Sequence, residues 1–158
     1  MAKVRPAHAI FGVLFFAALV VVADYALDGG FRQGGFQRVA PDKDGRVVLP
    51  VSDLKPGDAK FYRFLNYGNQ EVKFFVARDI DGRIHTAFDA NEICYKTKRG
   101  YTHQGEWMVC NKCDKAFRVT GVQDGGGGCK PVPFDHRLQG DNLILEERDI
   151  LTGWRYFR

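Results

Sequence analysis

Apolar positions along the chain follow two regimes. Residues 7–23, AHAIFGVLFFAALVVVA, run on without a formal charge, whereas from Arg46 onward apolar residues come in short runs divided by turn dipeptides. The second regime predicts strands. Arg46–Val51 is the first, followed by a turn from Asp53 to Asp58 around Lys55-Pro56-Gly57. Phe61–Tyr67 and Glu71–Arg78 are rich in aromatic and β-branched residues, and Gly68-Asn69 between them signals a hairpin. Asp81-Gly82 turns the chain into Arg83–Phe88, and later strands are expected at Glu106–Val109, Ala116–Val119, Asn142–Glu147 and Trp154–Phe157. Helical periodicity is absent beyond a single turn admitted by Ala90–Tyr95, and there is no internal repeat. The expected fold is all-β, a small sandwich or barrel, with a long irregular region from Asp89 to Phe134. So long an irregular region inside a compact domain points to ordering by something besides strand pairing.

The first regime admits three readings. As a helix, 17 residues at about 1.5 Å each cover roughly 25 Å, slightly short of a hydrocarbon core of about 30 Å, and extension to Leu27 makes up the difference. That reading is an uncleaved transmembrane anchor. A cleavable signal peptide, with Val21 and Ala23 preceding a cut before Asp24, is the second. A buried core helix, the third, is disfavoured because the run has no polar stripe. In the first two, Lys3 and Arg5 hold the N-terminus in the cytosol and everything after Asp24 is exported. Asp28-Gly29-Gly30 and Gly34-Gly35 then mark a tether. The expected organisation is an anchor or signal peptide over residues 1–27, a linker over 28–45 and an exported domain over 46–158.

Composition narrows the function classes. The 13 Phe and 18 Gly in 158 residues suit a turn-rich β domain. A net charge of +4 is too mild to indicate nucleic acid, and the basic residues beyond position 30 read as singly scattered on a solvated surface. Paired carboxylates, a nucleophile elbow, a P-loop and HExxH are all missing, so neither hydrolytic nor phosphoryl chemistry has support. An electron carrier or metal-binding protein fits better than a substrate-transforming enzyme.

Every cysteine lies in the irregular region: Cys94, Cys110, Cys113 and Cys129, spaced C-x15-C-x2-C-x15-C. A C-x2-C turn can place two thiolates on one metal, and two loops of equal length can bring two more. Zinc, iron or an iron–sulfur cluster suits such a shell, and Met108 adds a soft donor of the kind copper takes. Asp114 stands where a c-type haem motif needs His. An even cysteine count in an exported domain equally fits disulfides, in three possible pairings, each stabilising by about 3 kcal/mol for a 15-residue loop. A redox-active Cys110–Cys113 dithiol is the remaining reading, and spacing leaves all three open. The run Gly125–Gly128 abuts Cys129, so Gly127 and Gly128 are candidates for close backbone approach to a bound group. His103, between Cys94 and Cys110, is a candidate ligand or supporting group. His85 reads as a strand-face residue, Met108 as ordinary packing, His136 as exposed, and Asp114 and Lys115 as a solvated turn.

The string Phe88-Asp89-Ala90-Asn91-Glu92-Ile93-Cys94-Tyr95, Gly100-Tyr101, Gln104-Gly105, Val109-Cys110-Asn111-Lys112-Cys113, Phe117 and Gly127-Gly128-Cys129-Lys130-Pro131-Val132-Pro133 resembles the FtrD-like membrane iron–sulfur proteins. The resemblance spans roughly residues 46–157. It implies a bacterial inner-membrane protein with a periplasmic domain, and a cysteine-held iron–sulfur cluster or iron centre working in electron transfer or iron handling. It also implies a membrane permease or redox partner in iron transport, and Cys94, Cys110, Cys113 and Cys129 as ligands. One position departs from the family pattern, which has a further Cys three before the first; this chain has Asn91 there. A looser similarity is to Rieske domains, whose ligand pairs combine Cys with His; His103 is the nearest candidate, but no C-x-H or C-x2-H spacing occurs.

Overall fold

A computed structural model describes residues 35–158. The apolar run at 7–23 lies outside the described residues; among those described, no helix is long and apolar enough to cross a membrane. Residues 36–158 form one unit.

At its centre is an open sheet in the order β1-β3-β4-β5, made of Gln37–Val39, Ala59–Leu65, Glu71–Arg78 and Ile84–Phe88. The run Phe74-Phe75-Val76-Ala77 explains its position in the core. An uninterrupted apolar stretch in a strand presents apolar groups to both sides, so both faces must be covered. On one face Tyr62, Phe64, Val72, Phe74, Val76 and Phe88 pack against a second sheet, β2-β10-β9 (Arg46–Pro50, Asn142–Glu146, Arg137–Gln139). That sheet contributes Val47, Leu49, Leu143 and Leu145. On the other face Phe61, Phe75, Ala77 and Ala87 pack against a third sheet, β6-β7-β8 (Tyr101–Gln104, Trp107–Cys110, Ala116–Arg118), through Tyr101, Met108 and Cys110. The architecture is thus all-β with three open sheets, not a closed barrel.

Four expectations are corrected. The stretch from Asp89 to Phe134 is less irregular than expected: the strands expected at Glu106–Val109 and Ala116–Val119 form as β7 and β8, and an unexpected strand, β6, pairs with β7, Tyr101 opposite Cys110, to complete the third sheet. Its strands are short and half-exposed, which is why the apolar pattern is faint. Trp154–Phe157 is not a strand: Trp154–Tyr156 is a 3-10 turn following a short helix α1, Glu147–Leu151. Gly153 leads into it with no side chain because Phe88 occupies the space a Cβ would need. A strand also forms within the expected tether, since β1 pairs in parallel with β3 and Phe36 packs edge-on against Phe61 at 5.7 Å. Finally, His136 is half-buried rather than exposed, its Nδ1 lying 2.9 Å from Thr86 Oγ1. His85 faces inward with Nε2 2.8 Å from the buried carboxyl of Asp79.

Candidate metal centre

The centre is built where β5 ends. After Phe88 the chain is tied to the rigid sheet by Asp89 N–H donating to Lys73 O at 2.9 Å, and Phe88 N–H to Val132 O at 2.9 Å. Asn91 follows, only 2 % exposed. Its Oδ1 accepts from the backbone N–H of Ile93 at 3.1 Å and of Cys94 at 2.6 Å, an Asx-type turn that sets the position of Cys94. Its Nδ2 donates to Tyr101 OH at 2.8 Å and lies 3.6 Å from Cys110 Sγ. Tyr101 OH in turn donates to Cys129 O at 2.5 Å. One buried amide therefore links the segments carrying three of the four cysteines. In the sequence Asn91 stands out only as a departure from a cysteine pattern; an Asn three residues before a Cys, able to form an Asx turn, is the signal for its role.

The Cys110–Cys113 knuckle is shaped by backbone bonds. Asp114 N–H donates to Cys110 O and Cys110 N–H to Lys115 O, both at 2.9 Å, with Asp114 at φ 58°. Asn111 fastens this turn to the loop before β6, donating through Nδ2 to Arg99 O at 2.9 Å and accepting from Thr102 Oγ1 at 2.7 Å. Cys129 is delivered by the glycine run, whose members 125, 126 and 128 take φ of 67°, 104° and 76°. A Cβ on Gly127 or Gly128 would meet nothing within 4 Å. Backbone conformation rather than close approach is thus what the structure asks of this run.

All four thiols are free. The sulfurs of Cys94, Cys113 and Cys129 lie within 4.8 Å of one another, and Cys94 Sγ and Cys129 Sγ are 3.5 Å apart, beyond a covalent bond of about 2.05 Å. Cys110, buried, joins from the side by its contact with Cys94. Burial, together with the crowding thiols of Cys129 and Cys110, pushes the Cys94 thiol up to about 12. Three of the four sulfurs thus come together, with the fourth adjoining. His103 does not join them: it lies on β6 against Gly57, Asp58 and Gly105, where burial lowers its pKa. Met108 is fully buried in the core and is packing.

Beside the sulfurs is a cavity of about 150 Å³, lined by Cys94, Cys110, Asn91, Asp89, Lys98 and Lys112 among others. Asp89 Oδ1 accepts from Tyr101 N–H at 2.7 Å, and burial raises its carboxyl to about 7. Gly100, at φ 61°, passes so close to this carboxyl that any Cβ there would collide with it. From the C-terminus, Tyr156 OH donates to Glu92 Oε1 at 2.5 Å and its ring meets Tyr95 edge-on at 5.5 Å, bracing the Cys94 turn.

Comparison with curated proteins gives no match. Among solved structures, the apo form of a quaternary ammonium Rieske monooxygenase, CntA, is similar at 11% identity and a TM-score of 0.45. That likeness covers 66% of this chain and 33% of the other. The sequence model of one family, described as membrane iron-sulfur containing protein FtrD-like, matches residues 54–157.

Proposed function

The chain belongs to the FtrD-like membrane iron–sulfur family, and from that membership we propose that it is a membrane-attached protein whose exported domain holds a thiolate-ligated iron centre for electron transfer or iron handling. A permease or another redox protein of an iron-transport system is the partner in this reading. The observation that carries it is the convergence of Cys94, Cys113 and Cys129 within 4.8 Å. Three loops on rigid strands bring soft donors to one point, with Cys110 adjoining as the fourth ligand.

The donor set fits iron. In a tetrahedral thiolate shell with metal–sulfur bonds of about 2.3 Å, neighbouring sulfurs stand about 3.8 Å apart. The 3.5 Å between Cys94 Sγ and Cys129 Sγ and the 4.8 Å limit over the three sulfurs are compatible with such a shell, for iron as for zinc. When bound, iron supplies one-electron redox chemistry. The protein's part is positional. Asn91 turns Cys94 inward and directs an N–H toward Cys110 Sγ, and hydrogen bonding of this kind raises a thiolate centre's potential. The burial of Cys110 keeps water from one side.

The test is anaerobic purification of the full chain with analysis of iron, acid-labile sulfide and zinc, plus an absorption spectrum. Iron with visible absorption bleached by dithionite is expected; sulfide in proportion identifies a cluster, and its absence a mononuclear site. Stoichiometric zinc in a colourless protein assigns instead a binding module stapled by metal, and a metal-free protein lacking free thiols one stapled by disulfides.

A further inference from the structure

The chain's net charge of +4 resides entirely in the segment that carries the cysteines. Residues 94–130 hold seven of the 23 basic residues and three of the 19 acidic ones, so the remainder is balanced. The basic residues are therefore not scattered evenly, as their spacing along the chain suggested. Elsewhere many are neutralised locally: Lys60 with Asp53, Arg83 with Asp79 and Asp81, Arg155 with Glu92. Within the segment, Arg118 covers the Trp107 ring at 5.1 Å. Lys96, Lys98, Arg99, Lys112, Lys115 and Lys130 make no ion pair among the described residues. All but Lys130, which is half-buried, are exposed.

These cations flank all four cysteines in sequence, and Lys98 and Lys112 share a cavity wall with Cys94 and Cys110. None of them donates a hydrogen bond to a sulfur among the described residues, so their charge is directed at solvent. Next to Cys94 stands Ile93, 67 % exposed. Exposed apolar surface beside an excess of unpaired positive charge, which the few acidic residues of the segment such as Asp114 and Asp124 only partly offset, is the pattern of an electrostatically steered protein interface. We propose that this collar docks the acidic face of a protein redox partner, with Ile93 at the apolar centre of the contact. The inference rests on the electron-transfer reading and adds to it the sign of the partner's surface.

The test uses the full chain in detergent, an acidic ferredoxin and a basic cytochrome c as probes, and vesicles containing phosphatidylserine. Binding of the ferredoxin, read by fluorescence anisotropy, is expected at about 0.01 M salt and lost by about 1 M. The cytochrome should not bind. Reversing three collar charges (Lys96→Glu, Lys98→Glu, Lys112→Glu) should weaken ferredoxin binding at least about 10-fold. Reversing three others (Arg38→Glu, Lys43→Glu, Lys55→Glu) changes net charge equally and should have a much smaller effect. Equal effects of the two triple variants, or equal binding of both probes, overturn the proposal. So does loss of vesicle attachment confined to the collar variant with ferredoxin binding unaffected, which would assign the collar to anionic lipid. Binding needs no colour. A colourless preparation that still selects the acidic probe removes the iron reading while supporting the surface, and a coloured one without selection does the reverse.

Discussion

The two faces of the central sheet are covered by different means. On one, Phe88 stacks on Phe134 at 4.6 Å, Phe74 meets Phe134 edge-on at 5.5 Å and Tyr62 stacks on Phe74 at 5.3 Å. Aromatic and aliphatic burial dominates that side. On the other, the third sheet carries loops held by Asn91, Asn111, Tyr101 and a series of residues at positive φ: Lys98, Gly100, Gly105 and Asp114. Three of its four cysteines are only partly shielded, Cys110 alone being buried. The difference teaches that the aromatic side is a scaffold able to stand by itself, while the cysteine side depends on hydrogen bonds and on what its sulfurs hold.

The largest effect should therefore come from the metal. Structural thiolate sites contribute on the order of 10–16 kcal/mol in apparent binding energy. Chelation, or Cys113→Ser, should abolish stoichiometric metal and visible absorption. Amide exchange should then accelerate through residues 94–130 while β3 and β4 keep their protection. Uniform loss of protection across all three sheets would show that the two sides are not separable.

Phe88→Ala attacks the other side. Phe88 is 2 % exposed and touches Phe134, Tyr156 and the backbone at Gly153. Its truncation should cost about 3–5 kcal/mol in a denaturant titration. Because Phe88 directly precedes the Asp89–Cys94 segment, metal affinity should fall with it; unchanged affinity would place the boundary between the two sides after β5.

The same division explains what was legible in the sequence. Glu71–Arg78, Asn142–Glu146 and the Asp81-Gly82 turn follow from apolar runs and turn dipeptides, because burial writes itself into hydrophobic pattern. Of the third sheet, β7 and β8 follow in the same way but β6 does not, since it is short and only its first residue is buried. Spacing brought Cys94, Cys113 and Cys129 into view because thiols are rare and their function is local. His103 also entered by proximity in sequence, yet strand geometry carries it away toward Gly57 and Gly105. Asn91 could be read as a turn-former for Cys94, but its donor end serves residues ten and nineteen positions away, which no local pattern encodes. Trp154–Phe157 had a strand's composition, but packing on Phe88 and Tyr95 made it a turn.

Asp89 ties the cysteine side to pH. Its folded carboxyl is raised by burial to about 7 from an ordinary 3.8. Between these values the native state keeps a proton that the unfolded chain has released. The stability it contributes is complete below about pH 4, declines as pH rises and is gone above about pH 7, a change of at most about 4 kcal/mol. Asp79 runs the other way. Burial would raise it, but the His85 ring and the Arg83 N–H hold it low, so its contribution is lost in acid. Comparing Asp89→Asn with the parent isolates the first effect. The variant should lack the decline between pH 4 and 7, measured by thermal unfolding across that range. Parallel curves for the two proteins would show that Asp89 ionises normally in the fold.

The smallest and most discriminating change is at Asn91, because its two ends serve different parts of the centre. Asn91→Ala removes both ends and leaves the N–H groups of Ile93 and Cys94 without their acceptor, a cost of about 1–3 kcal/mol. Asn91→Asp keeps that acceptor and removes only the donor to Tyr101 OH and Cys110 Sγ. If the amide's work is to shape the Cys94 turn, Asp should restore most of the stability and metal content that Ala loses. If the N–H directed at sulfur also matters, the Asp variant should bind iron with a reduction potential below the parent's, since a donor to the thiolate has gone and a negative charge has arrived. Equal potentials with equal metal content would reduce Asn91 to a turn-former and move control of the centre onto the backbone N–H groups of the knuckle.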